Sequence, residues 1–439
     1  MKRSTKLLSL ACLSALLTTA ARGENWPHWR GPNFNGSAAE KGLPDIFSKT
    51  DNVKWMAELP GPSAATPIIW GDAVFISSTD EKTKTLRAMA FDRKSGKQLW
   101  NNEVAPGFGR DDSSNFASPS PTTDGAVVYF LYGTGELAAF DFKGTPVWTR
   151  NLEKDYGPFA YQWTYGASPT LFEGKLYVQV LNRDEPVHGR GRKDGRGESY
   201  LLALDPKTGT ELWRNIRPSD AAAESQEAYS TPIPFTQGGL TEILISGGDC
   251  LTGHDAKTGK ELWRWGSWNP TKIGHWRLVP SPVVSEHGAL VCAPKGSPIF
   301  TVKHGLKGKL DDSALAWTSS DRDVSSDVCT PLYYQGRLYV LNGEKKLLAR
   351  VDPATGKPDW IGDLVARPKI ECSPTGADGK IYFQSFKGEV MIVAADKEFK
   401  LLRTIPMGDP TDDRLRAAIS VAAGNLFIRT GTKLYCIGK

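Results

Sequence analysis

Apolar runs of three to five residues, bounded by turns rich in Gly, Asp and Pro, recur along the chain, and no long helical periodicity interrupts them. Ala73-Val74-Phe75-Ile76, Val127-Val128-Tyr129-Phe130, Lys175-Leu176-Tyr177-Val178 and Arg337-Leu338-Tyr339-Val340 are examples, each read as a strand. The most explicit stretch is Ala203-Leu204-Asp205-Pro206-Lys207-Thr208-Gly209-Thr210-Glu211-Leu212-Trp213. It reads as a strand, a tight turn and a second strand. Asp bonds the turn amides, Gly supplies a positive φ, and the small first residue leaves room for an indole.

That stretch repeats. Asp92, Gly96 and Trp100 keep its spacing, as do Asp255, Gly259 and Trp263, and Asp352, Gly356 and Trp360; Asp141, Gly144 and Trp148 carry a turn one residue shorter. Trp55 and Trp317 keep only the anchor, and Ala394-Ala395-Asp396 keeps the start without the Trp. Successive anchors stand 43 to 65 residues apart, the spacing of propeller blades. A Ser/Thr-Pro pair precedes each inner strand: Thr66-Pro67, Ser120-Pro121, Ser168-Pro169, Thr231-Pro232, Ser281-Pro282, Thr330-Pro331 and Ser373-Pro374. Proline suits a strand whose edge faces a central channel and has no ladder partner there. Residues 52–59 look like a last strand with nothing before it, and its partners stand at the C-terminal end. The expected fold is all-β: an eight-bladed β-propeller of four-stranded antiparallel blades, closed by an N-terminal strand that completes the C-terminal blade.

Composition then sets the compartment. Residues 1–23 read as a signal peptide, with Lys2, Arg3 and Lys6 before an apolar run at 7–17 and Ala21-Arg22-Gly23 as the cleavage site. The run is too short to span a bilayer, and no later stretch is apolar enough. The chain is therefore expected to be exported, periplasmic or extracellular. Loss of the leader removes four positive charges and no acids, taking the formal charge from +5 to +1. A nucleic-acid partner thereby loses its main support. The five remaining cysteines are scattered, which argues against a disulfide framework or a zinc site. Residues 24–51 form an aromatic arm with Trp26, Trp29 and Phe34, expected to pack across the outside or one face of a propeller at 52–439.

The A-x-D-x-x-T-G-x-x-x-W repeat resembles the tryptophan-docking motif of the PQQ-like β-propeller superfamily (quinoprotein alcohol dehydrogenase-like), which includes quinoprotein dehydrogenases and the outer-membrane assembly factor BamB. The resemblance covers residues 52–439. It implies that Trp100, Trp148, Trp213, Trp263 and Trp360 are structural, each clamped between neighbouring blades. In quinoproteins of this superfamily PQQ lies in the channel over a floor Trp, often beside two adjacent cysteines, with Ca²⁺ and an Asp base. No Cys-Cys pair exists here.

Loops from one blade's outer strand to the next blade's inner strand converge on the channel mouth, and they are charged and aromatic. The ligand candidates on them are Arg110, Asp111, Trp163, Tyr165, Glu227, His275, Trp276, Arg277, Asp327, Glu371 and Arg416. No catalytic residue or metal ligand is assigned, and His275 has no partner at metal spacing. Thr258-Gly259-Lys260 imitates a phosphate loop, but Glu261 stands where Ser or Thr is required. The basic Gly/Arg insertion at 184–197 reads as a solvated loop. The sequence favours a monomeric, non-catalytic, BamB-like scaffold that binds a protein or cell-envelope component and needs no cofactor. The alternatives are a PQQ- and metal-dependent oxidoreductase, or carbohydrate binding at Trp163 and Trp276.

Overall fold

Each repeat turn is folded by its own aspartate. In the computed structural model, which describes residues 25–109, 111, 114–319 and 321–439, Asp92 Oδ1 accepts the N–H groups of Lys94 (3.1 Å) and Ser95 (2.8 Å). Asp255 does the same for Lys257 and Thr258. Gly96, Gly209, Gly259 and Gly356 follow with φ of 70° to 74°, a region costly for a residue with a Cβ. Their bareness also admits the indole of the preceding blade. A Cβ on Gly96 would stand 2.6 Å from Trp55, and one on Gly356 2.2 Å from Trp317. Trp55, Trp148 and Trp317 each complete the clamp by donating Nε1–H to the carbonyl after the turn aspartate, on Arg93, Pro206 and Pro353, at 2.8 Å. Trp100 does so to Phe142 at 3.1 Å.

Three anchors differ from that pattern, for local reasons. Trp213 lies over Gly259, but the carbonyl it would use, on Ala256, is taken by the Tyr177 hydroxyl at 3.0 Å, and its Nε1 is buried without a partner. Trp263 departs from the inter-blade clamp expected of it. The next blade has no Asp-Gly turn to receive it, so its Nε1 donates to Glu242 Oε2 (2.7 Å) in its own blade. Trp360 donates to Asp396 O at 3.0 Å and packs against Phe399 instead of a glycine.

Eight sheets result, the blades of a ring, each with a four-stranded antiparallel body. Blade 1 runs from Ile68–Trp70 to Gln98–Pro106, blade 2 from Thr122–Thr123 to Pro146–Asn151, and blade 3 from Thr170–Phe172 to Glu211–Ile216. Blade 4 begins at Ile233–Gln237 and carries a fifth strand, Gly308–Lys309, parallel to its outer strand Glu261–Trp265. Blades 5, 6 and 7 begin at Val283–Ser285, Leu332–Tyr334 and Thr375–Ala377. Blade 8 is built from Ser420–Ala422, Asn425–Arg429, Lys433–Ile437 and Val53–Glu58, the last pairing Met56 with Tyr435 and Glu58 with Lys433. This is the eight-bladed propeller, closed by the N-terminal strand. The two middle strands of each blade are almost wholly buried and supply the core. Arg429, also buried, ties blade 8 to blade 1 through Ser77 O (2.6 Å) and Gly61 O (3.1 Å).

The aromatic segment after residue 24 crosses the face opposite the charged loops. Trp26 pairs with Ile69 of blade 1, and Thr123 of blade 2 donates to Pro27 O. Arg30 then reaches across the axis to Pro331 O (2.7 Å) and Pro374 O (3.0 Å), with Gly36 leaving room for its guanidinium. Ser37 pairs with Gly376 of blade 7, and the Glu40 carboxylate accepts the N–H groups of Ala423 and Gly424 in blade 8. The segment is thus a strap across a diameter of the ring. The leader at 1–23 lies outside the described residues.

Candidate functional site

The inner strands begin with Ser or Thr, and their hydroxyls lace the blades together around the axis. Thr66 N–H donates to Ser120 Oγ (2.9 Å), Ser120 N–H to Ser168 Oγ (2.9 Å), Ser168 N–H to Thr231 Oγ1 (3.0 Å) and Thr231 N–H to Ser281 Oγ (2.8 Å). Ser281 and Thr330 continue to Thr330 Oγ1 (2.9 Å) and Ser373 Oγ (3.0 Å), and Ala418 N–H returns to Thr66 Oγ1 (3.0 Å). Only the junction from Ser373 to blade 8 lacks a hydroxyl, because Ala418 stands there.

Inside this ring is a cavity with about 980 Å³ of empty space, its open mouth included. The seven hydroxyl residues line its waist, Trp29 of the strap forms its floor, and Trp163, Tyr229, Arg277, Glu371 and Arg416 line its upper wall. Glu371 is engaged by Arg416 Nε (2.6 Å) and Lys369 Nζ (3.0 Å). Arg277 stands 3.5 Å from Glu224 and 3.6 Å from Asp327, and its Nη1 is buried with no hydrogen-bond partner. Trp29 Nε1 is buried and unpartnered as well.

The predicted candidates therefore divide. Trp163, Arg277, Glu371 and Arg416 meet in the cavity. Asp111 holds the blade 2–3 loop to its own, accepting from the N–H (2.5 Å) and hydroxyl (2.7 Å) of Thr164. Asp327 accepts Lys295 N–H (2.9 Å) in a neighbouring crevice. Glu227 is fully buried behind the wall, bonded to Arg183 Nε (2.6 Å), the Tyr229 hydroxyl (2.8 Å) and Gln162 N–H (2.9 Å); burial raises its pKa. Tyr165 is core, its hydroxyl on Gln179 O. Trp276 packs on the hydrophobic core beside blade 4 and His275 is exposed, so neither joins Trp163 in the cavity. Arg110 lies outside the described residues. The Gly/Arg insertion, expected to be solvated, is partly pinned: Arg190 bonds Glu153 (2.6 Å), and Asp184 N–H donates to Gln226 Oε1 (3.3 Å).

Sequence reasoning missed the hydroxyl ring and the floor. The Ser/Thr-Pro pairs were visible but carried meaning only through their prolines, and Trp29 sits in a segment with no repeat pattern.

The donor set is a poor match for the calcium-assisted quinone that the superfamily resemblance implies. Cys250, Cys292, Cys329, Cys372 and Cys436 are all buried free thiols. Among the described residues no group of three or more His, Cys, Asp or Glu converges as a metal site. Glu371, the one carboxylate lining the cavity among the described residues, is already paired with two cations. No reaction step is derived through that group.

Comparison with known proteins agrees with the architecture. The family profile described as outer membrane protein assembly factor BamB matches residues 46–158 and 197–437. Polyvinylalcohol dehydrogenase of a Pseudomonas species is 23% identical over 236 residues, covering 48% of this chain and 35% of that protein. Tetrathionate hydrolase of Acidithiobacillus ferrooxidans is 21% identical over 370 residues, covering 82% and 58%. The chain thus spans about a third to just over half of these curated relatives. Among solved structures, quinohemoprotein alcohol dehydrogenase from Comamonas testosteroni superposes with a TM-score of 0.67 at 14% identity, covering 96% of this chain and 82% of that one. BamB from Moraxella catarrhalis gives 0.56 at 12% identity, covering 87% and 100%. At such identities the structural likeness speaks for the fold alone, while the profile spans most of the sequence. The chain belongs to the family of the outer membrane protein assembly factor BamB.

Proposed function

We propose that this chain is an exported, monomeric, non-catalytic propeller that binds a protein or cell-envelope component through its loop-lined mouth. The observation that carries this reading is the state of the mouth's acids. Glu371, Asp327 and Glu227 are each held by cations or amide donors, and Asp111 is held by Thr164. Such groups order loops and present a fixed surface; they are not poised to take a proton from a substrate. The leader read at residues 1–23 supports export. No described helix is long and apolar enough to cross a membrane.

Quinone-dependent dehydrogenation is the second reading. It is favoured by the polyvinylalcohol dehydrogenase relative and by two indoles, Trp29 and Trp163, lining one cavity. A dye-linked assay separates the two: the mature protein is incubated with PQQ, Ca²⁺ and primary or polymeric alcohols. No turnover is expected, while a photo-crosslinker placed at position 163 in the native envelope should capture one defined component. Alcohol-dependent dye reduction would replace the scaffold by the dehydrogenase.

A further inference from the structure

Among the described residues the cavity wall is rich in hydrogen-bond donors, and its one carboxylate, on Glu371, is already paired. Each of the seven waist hydroxyls already accepts a backbone N–H from the adjoining blade. A hydroxyl used in this way still has its own proton to give, and among the described residues none of the seven gives it to a protein acceptor. Trp29 Nε1 at the floor and Arg277 Nη1 at the wall are two more buried donors without acceptors. Arg277 is 13% exposed; its ion pairs with Glu224 (3.5 Å) and Asp327 (3.6 Å) are long, and its Nη1 has no hydrogen-bond partner. Glu371 accepts from neither of these two donors, being occupied by Arg416 and Lys369.

Buried donors left unmet cost free energy, and those on a cation cost most. Water can accept from these donors, but it brings no charge to set against the Arg277 guanidinium. A ligand that only accepts, and carries negative charge, suits such donors better.

We propose that the cavity binds a small oxyanion, a carboxylate, phosphate or sulfate group, seated over Trp29 within the ring of hydroxyls and held from the side by Arg277. The inference goes beyond the scaffold reading: it assigns a small ligand to the cavity beneath the partner-binding mouth.

The test is calorimetric titration of the mature protein with sodium sulfate, phosphate and succinate at constant ionic strength, with erythritol as the neutral control. Saturable binding of an anion and none of erythritol is expected. Arg277→Gln should weaken it by about tenfold or more, the loss of one charge-assisted bond. Trp29→Phe keeps the floor's ring but removes its N–H and should weaken it severalfold, with the thermal transition recorded to show that each variant is folded. Saturation by inorganic sulfate or phosphate identifies the free ion as ligand; saturation by succinate alone identifies the end group of an organic acid, and either bears the proposal out. Absence of saturable binding, or affinity unchanged in both folded variants, overturns it. Alcohol oxidation with PQQ would instead overturn the scaffold reading and leave anion binding to be judged by the titration.

Discussion

His28 lies in the strap with both ring nitrogens buried and unpartnered, stacked on Phe34 at 3.8 Å. Burial first, and then the neighbouring Arg30 charge, depress its pKa from 6.5 to about 3. The folded protein therefore keeps His28 neutral where an unfolded chain has already taken the proton. Between those two values the unfolded state binds more protons, so stability falls as pH drops from about 6.5 toward 3. At pH 4.5 the loss is about 3 kcal/mol. His254, with a pKa lowered by burial to about 4, acts in the same direction and is untouched by changes at position 28. His28→Phe should keep the stacking and reduce the loss of Tm between pH 7 and pH 4.5. An unchanged loss would show that the strap histidine is not a source of acid sensitivity.

At the scale of the element, two kinds of joint hold one blade to the next: the indole on its glycine turn, and the inner-strand hydroxyl on its neighbour's N–H. The first is steric. Gly356→Ala would place a Cβ 2.2 Å from the Trp317 ring at a φ of +70°, and should cost about 2–4 kcal/mol in denaturant unfolding. Gly424→Ala is the control, with a φ of +72° and open space around it; it should cost only the backbone term of about 1 kcal/mol. Equal losses in the two variants would mean that the indole clamp adds nothing. The second joint is missing once, between blades 7 and 8, where Ala418 offers no acceptor to Ser373 N–H. Ala418→Ser would supply the eighth hydroxyl and should stabilise the protein by about 0.5–1.5 kcal/mol. A loss of stability in that variant would show that this junction is already satisfied in another way.

Across the whole molecule, what was legible in the sequence was what local chemistry dictates. Asp, Gly and Trp within eleven residues announce a turn and its anchor, and their recurrence announces a ring; the unpaired strand at residues 53–58 even announces how the ring closes. What was not legible depends on neighbours tens of residues away. Ser120 means little until Thr66 stands 2.9 Å from it, and Trp263 reads like its siblings until the next blade is found to lack a turn. Tyr165 and Arg277 both lie on mouth loops, yet one is core and the other faces the cavity. Loop position was visible, side-chain direction was not. The strap was the least legible part, since Trp29 and Arg30 acquire their places only after eight blades have made an axis for them to cross.

That crossing also decides how solutes travel. A bare ring has two doors, and a molecule entering by one is free to leave by the other. With Arg30 bridging Pro331 and Pro374 and Trp29 spread above it, one door is shut and the ring becomes a cup. A solute that enters past Trp163 and Arg416 would then leave the same way, and dwell time is the quantity such a cup would control.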